Sequence, residues 1–144
     1  MEYIHYGHSK FDINQFKQIV NQIEFTKPSG GLWASRINSE YGWKDWCLSN
    51  EYSGSTLDKH FNFSLEKTAK ILTISNCNQL EELPKNKDCK IVSNLWVCLD
   101  FEKLSEQYDA IEVLITEDNQ LYYKLYGWDC DSILIMNPNI IITK

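Results

Sequence analysis

The chain predicts an α+β fold. Three observations carry this: the apolar runs have strand character and are short, few segments show a helical stripe, and no long helix alternates with the strands as βαβ crossovers require. At 144 residues, 43% hydrophobic and 24% charged, the sequence is long enough for one domain, spanning residues 1–144, with a real core.

The elements follow in order. Residues 3–6 form a short first strand. Residues 11–23 carry Ile13, Phe16, Ile19, Val20 and Ile23 at helical intervals, which predicts a helix. Lys27-Pro28-Ser29-Gly30-Gly31 is a turn that releases the chain into a second strand over residues 32–35. Asn38 or Ser39 caps a helix reaching about Leu48, with Trp43, Trp46 and Cys47 on its core face and Lys44 and Asp45 outward. A polar loop over residues 53–59 precedes an alternating strand, in which Phe61, Phe63 and Leu65 face inward. Residues 70–75 are a more apolar strand, and Pro84 stops a helical turn over residues 79–83. Residues 85–90 are a charged loop. Asp100 caps a helix marked by Phe101, Leu104 and Tyr108, and residues 110–115 return to strand. Residues 121–126 read equally as helical turn or strand. Residues 130–136 and 140–143 close the chain as strands around Asn137-Pro138-Asn139.

Composition excludes several classes. A net charge of −6, with Arg36 the sole arginine, argues against nucleic-acid binding, which needs clustered cations. The five cysteines lack C-x-x-C spacing, so they read as reduced thiols in a cytoplasmic protein and not as a zinc site. Residues 1–10 carry no secretory signal, and no apolar run is long enough to span a bilayer, so no membrane partner is expected. The Lys-heavy, Arg-poor, Asn-rich composition suits an AT-rich microbial or phage genome.

Chemistry concentrates in few places. His5-Tyr6-Gly7-His8 follows the first strand, and Gly7 lets backbone approach a flat ligand closely. In Gly30-Gly31-Leu32-Trp33-Ala34-Ser35, strand alternation puts Trp33 and Ser35 on one side, an aromatic wall beside a hydroxyl. Glu112 interrupts an apolar strand, and Asp129 and Asp131 immediately precede a buried one. Each also has a plain reading as surface histidine, core tryptophan or solvated charge. No nucleophile elbow, P-loop or H-x-x-x-H motif is present.

Taken in sequence, these segments, with Ala69-Lys70-Ile71-Leu72-Thr73-Ile74 and Asp131-Ser132-Ile133-Leu134-Ile135-Met136-Asn137-Pro138, resemble the landmarks of the mono-ADP-ribosyltransferase family across nearly the whole chain. The resemblance implies a split pair of small β-sheets with few flanking helices and an NAD cleft between them. It implies NAD as substrate, transfer of ADP-ribose to a macromolecular acceptor with release of nicotinamide, and His5, Tyr6, Gly7, Gly31, Trp33 and Ser35 at the dinucleotide. The family's catalytic glutamate opens the penultimate strand, where this sequence has Ser132 with Asp131 alongside. The carboxylate is then Asp131, or Glu112 from a neighbouring strand, or it is missing. In the last case the chain is a degenerate module that binds a nucleotide or a protein partner. Tyr6 also stands immediately before Gly7 where the family has His or Arg, which turns His5 to the opposite strand face unless a bulge intervenes.

Overall fold

The computed structural model describes residues 1–52, 54–91 and 95–144; Ser53, the start of the polar loop, lies outside the described residues. Strands β1 (Glu2–Tyr6), β2 (Leu32–Arg36), β3 (His60–Leu65), β4 (Ile71–Ile74), β5 (Ala110–Val113), β6 (Ser132–Ile135) and β7 (Ile141–Ile142) join in the order β4-β5-β6-β2-β1-β3-β7. Only the β4–β5 pair is parallel among them. The fold is thus mixed, with few helices, as the short strand runs predict.

In place of the expected split pair, the described strands join in one seven-stranded sheet, and β2 is where its two halves meet. Leu32, Trp33 and Ala34 pair with β6, whereas Ser35 and Arg36 pair with Ile4 and Tyr3 of β1. Continuing the second register would set His5 against Ala34 and Tyr6 against Trp33. The ladder stops before either pair forms, so β1 and β2 part over the half of β2 that β6 holds. On its other edge β1 pairs with β3 without interruption from Glu2 to Tyr6, so no bulge intervenes there.

Two cores lie on opposite faces of the sheet. Ile111, Val113 and Leu134 pack with Phe101, Leu104, Leu121, Leu125 and Trp128 on one side. Tyr3, Phe63, Ala110, Ile133, Ile135 and Ile140 form the other. Helices α2 (Phe101–Ser105) and α3 (Gln120–Lys124) supply the first core. Asp100 caps α2 as the sequence predicts, accepting a bond from the Lys103 N–H at 3.0 Å. Of residues 121–126, the first four resolve as helix and Leu125 caps it, because Leu121 and Leu125, one turn apart, are both buried in that core.

Two helix expectations change. Residues 11–23 hold only a 3-10 turn, Ile13–Gln15, and then run irregularly to a bridge between Val20 and Ser29. Only part of their apolar stripe finds a surface: Ile19 is buried in the first core and Phe16 packs against the second, while Ile13, Val20 and Ile23 are exposed. The segment's backbone is spent on the glycine turn instead. The Gly31 N–H donates to the Lys17 carbonyl at 2.8 Å, and a Cβ on Gly30 would sit 2.2 Å from the Gln18 oxygen. The second helix, α1 (Trp43–Ser49), begins at Gly42, later than Asn38 or Ser39. Its cap comes from across the chain, since the Ser35 hydroxyl accepts the Trp43 N–H at 3.1 Å.

Candidate functional site

A cavity of about 250 Å³ opens where β1 and β2 part. Ile4, His5 and Tyr6 line it from β1, Trp33 and Ala34 from β2, Trp43 from α1, and residues 127–130 with Ser132 from the approach to β6. Because Trp33 pairs with Leu134, two residues from Ser132, Trp33 and Ser132 share a face of the sheet. Tyr6 shares that face too, and His5 does not. The His5 ring lies in the gap between the strands, where it does what the broken ladder cannot: its Nδ1 lies 2.7 Å from the Trp33 carbonyl. A carbonyl only accepts, so Nδ1 carries the proton, and Nε2 accepts from His8 Nδ1 at 2.9 Å. Burial holds the His5 imidazole below its ordinary value against the opposing pull of the Trp33 carbonyl, so it is neutral at pH 7.

The walls are aromatic with a few polar groups. Trp33 meets Trp128 edge-on, with ring centroids 4.7 Å apart, and the Lys27 ammonium lies 5.3 Å from the Trp33 ring centroid. Gly127, at φ +88, leaves room for that lysine, whose Cε would stand 3.2 Å from a Cβ there. Trp128 is 2% exposed, yet its Nε1 donor has no partner among the described residues. A buried N–H left open is costly, and here it belongs to a residue lining a cavity that a ligand acceptor can enter. Burial pushes the Cys130 thiol up to about 12, so this cavity residue is a neutral thiol and no nucleophile.

Of the dinucleotide-contacting residues expected from sequence, His5, Tyr6 and Trp33 line this cavity. Gly7, at φ +116, ends β1 with its N–H on the Lys59 carbonyl at 2.8 Å. Gly31, at φ +72, is packed against Leu134 and Ile19 and lines a separate shallow hollow of about 230 Å³ with His5 and Trp33. Ser35 is 2% exposed with its hydroxyl fully used, donating to the Asp131 carbonyl at 2.9 Å and capping α1.

Neither expected carboxylate lines the cavity. Asp131 is buried, and both its oxygens are taken by Thr116, from the N–H at 3.0 Å and the hydroxyl at 2.6 Å. Glu112 pairs with Ile133, which pairs with Ala34, so strand parity puts it on the face opposite Trp33 and Ser132. There it holds Arg36 through Nε at 2.8 Å and a terminal nitrogen at 2.5 Å.

The carboxylate that does line the cavity is Asp129. It also borders a second cavity of about 410 Å³, whose walls include Tyr41, Trp46, Tyr122, Tyr123 and Thr116. The sequence offers Asp129 and Asp131 as one acidic pair; what separates them is Thr116, fifteen residues upstream of Asp131, which no motif spacing indicates. Nothing in the sequence marks Lys27, Trp43 or Trp128 as ligand-facing: Lys27 opens a turn, Trp43 lies on the core face of the expected helix, and Trp128 precedes the acidic pair. Among the described residues no cluster of three metal-ligating side chains occurs, and no helix is long and apolar enough to cross a membrane. In comparisons with protein-family models, curated proteins and solved structures, nothing matches this chain.

Proposed function

We propose that the cavity where β1 and β2 part binds NAD, and that the chain transfers ADP-ribose from it to a macromolecular acceptor, with Asp129 as the catalytic carboxylate. The single observation that carries this reading is the position of Asp129, on the wall of an aromatic cavity with an open indole N–H and on the wall of a second cavity beyond. Breaking the nicotinamide–ribose bond develops oxocarbenium charge, which a nearby carboxylate stabilises. The flat nicotinamide suits walls of tyrosine and tryptophan, its carboxamide oxygen suits the Trp128 donor, and Lys27 suits a pyrophosphate. At about 250 Å³ the cavity is smaller than the roughly 300–1,000 Å³ of sites that enclose a drug-sized ligand. It therefore takes the nicotinamide–ribose half and leaves the adenosine half outside. The second cavity gives the acceptor access to the far side of Asp129.

Incubation with nicotinamide-labelled NAD tests the assignment. Asp129→Asn lowers label release by on the order of 100-fold or more, the cost of removing one preorganised electrostatic partner. Glu112→Gln, which keeps the shape of the Arg36 contact on the other sheet face, leaves release unchanged. Equal turnover by Asp129→Asn and the parent protein would overturn the reading. One observation favours a second reading, a nucleotide-binding module without catalysis: Ser132 occupies the cavity where the resemblance implies a glutamate. NAD binding with no nicotinamide release from the parent protein selects it.

A further inference from the structure

Away from this site, Cys89 and Cys98 bring their sulfurs within 2.8 Å of each other. Local structure dictates that approach. Lys85 and Leu99 form an antiparallel bridge, and the Asn86 N–H donates to the Cys98 carbonyl at 2.8 Å, which fixes the two ends of the segment side by side. The Asn86 side chain then accepts the Asp88 N–H at 3.2 Å, and the turn folds Cys89 back over Cys98. Both cysteines are partly accessible, whereas Cys47 and Cys130 are 1% and 3% exposed.

We infer that Cys89 and Cys98 form an oxidative modification site, a thiol pair that a peroxide converts into an intramolecular disulfide. A disulfide bond is about 2.05 Å long, so the sulfurs need to close by less than 1 Å, with the backbone already clamped on both sides. The hydrogen bond orders the chemistry: the Cys98 thiol donates to the Cys89 sulfur. Burial and that bond push the Cys98 thiol up to about 12, so Cys98 keeps its proton and Cys89 meets the oxidant first. The Cys89 sulfur attacks the peroxide, the O–O bond breaks, and a sulfenic acid forms as the proton given up by the Cys89 thiol joins the departing hydroxide to make water. The Cys98 sulfur then attacks the Cys89 sulfur, loses its proton and expels the hydroxyl as a second water. Two thiols and one hydrogen peroxide give one disulfide and two waters, and two electrons pass to the peroxide.

The pair also lies under a strut that reaches the cavity. The Lys90 N–H donates to the Ile23 carbonyl at 2.6 Å, the Asn86 amide to the Gln22 carbonyl at 3.2 Å, and the Cys89 thiol lies 3.9 Å from the Phe25 oxygen. The chain beyond carries Lys27 to the cavity wall. The disulfide stiffens that support, and the modification stands whether or not the cavity holds NAD.

The test uses the full chain, treated with hydrogen peroxide, alkylated under denaturing conditions and digested with trypsin. The expected product links residues 88–90 to residues 91–103, lighter than the two free peptides by two hydrogens, while Cys47, Cys77 and Cys130 carry the alkyl group. Cys98→Ser stops at a sulfenic acid on Cys89 that a dimedone probe captures, and Cys77→Ser forms the link as the parent does. Full alkylation of all five cysteines after peroxide, or a Cys89 link to any sulfur other than Cys98, would overturn the inference.

Discussion

Replacing Arg36 with methionine tests whether Glu112 is structural, as its ion pair with Arg36 implies. The Glu112 side chain is 3% exposed and the Arg36 side chain 29%. The substitution removes both guanidinium bonds and leaves a charge in a sheet face otherwise filled by Tyr3, Ala34 and Ile133. Breaking a buried pair from one side costs about 3–5 kcal/mol, and the partial exposure of Arg36 puts this case near the lower end, about 3 kcal/mol. For a chain of this length each kcal/mol moves the melting temperature by about 2–4 °C, so Arg36→Met melts about 6–12 °C lower at pH 7.

Urea unfolding of both proteins at pH 7 reads this difference directly. A second arm reads function: the pair lies on the sheet face opposite Ser132, so nicotinamide release per folded molecule is unchanged. An Arg36→Met protein within 1 kcal/mol of the parent at pH 7 would refute the electrostatic reasoning. Loss of turnover in the folded fraction would refute the separation of faces.

Two further expectations follow from hydrogen bonds that use a side chain fully. Burial lowers the His5 imidazole below its ordinary value of 6.5, so the unfolded chain binds more protons there below that pH, and stability falls as pH drops through 6.5 to the folded value; His5→Gln removes this slope, seen as a flatter change of urea midpoint between pH 7.5 and 5.5. Thr116→Val deletes the hydroxyl that holds Asp131 at 2.6 Å and Asp131→Asn alters the same contact; both lower stability by about 1–3 kcal/mol and reduce turnover to a similar partial extent, whereas abolished turnover in Asp131→Asn alone would make Asp131 the catalyst.

What the sequence disclosed depended on how local each cause was. Strand β3 was legible because Phe61 and Phe63 alternate with polar neighbours, and that period decides the face. The α2 cap was legible because Asp100 acts three residues away. Residues 11–23 misled because a helical stripe predicts burial only if a partner surface exists, and the segment instead lends its carbonyls to a glycine turn. Ser35 misled for a related reason: it shares strand parity with Trp33, yet its hydroxyl is consumed by α1 and by Asp131. The stopping point of the β1–β2 ladder, which makes the cavity, depends on how β6 and β1 divide β2 between them, and no local pattern records that division.

The acidic stretch before β6 shows how one short segment serves two needs that conflict at a single residue. A carboxylate useful to a reacting sugar must be accessible, and it must also be held still, or the favourable electrostatics are lost in rearrangement. Asp131 meets only the second need: Thr116 grips its side chain, its N–H is fixed on the Tyr41 carbonyl at 2.8 Å, and its own carbonyl is fixed by Ser35. Asp129, two residues earlier, meets the first and borrows the second, because the chain on its far side is clamped at four atoms. Under the proposed function the buried aspartate is a positioning residue, and Asp129 stands between the two cavities. The carboxylate that the resemblance implies at the start of β6 is then supplied by Asp129, from the loop that β6 anchors.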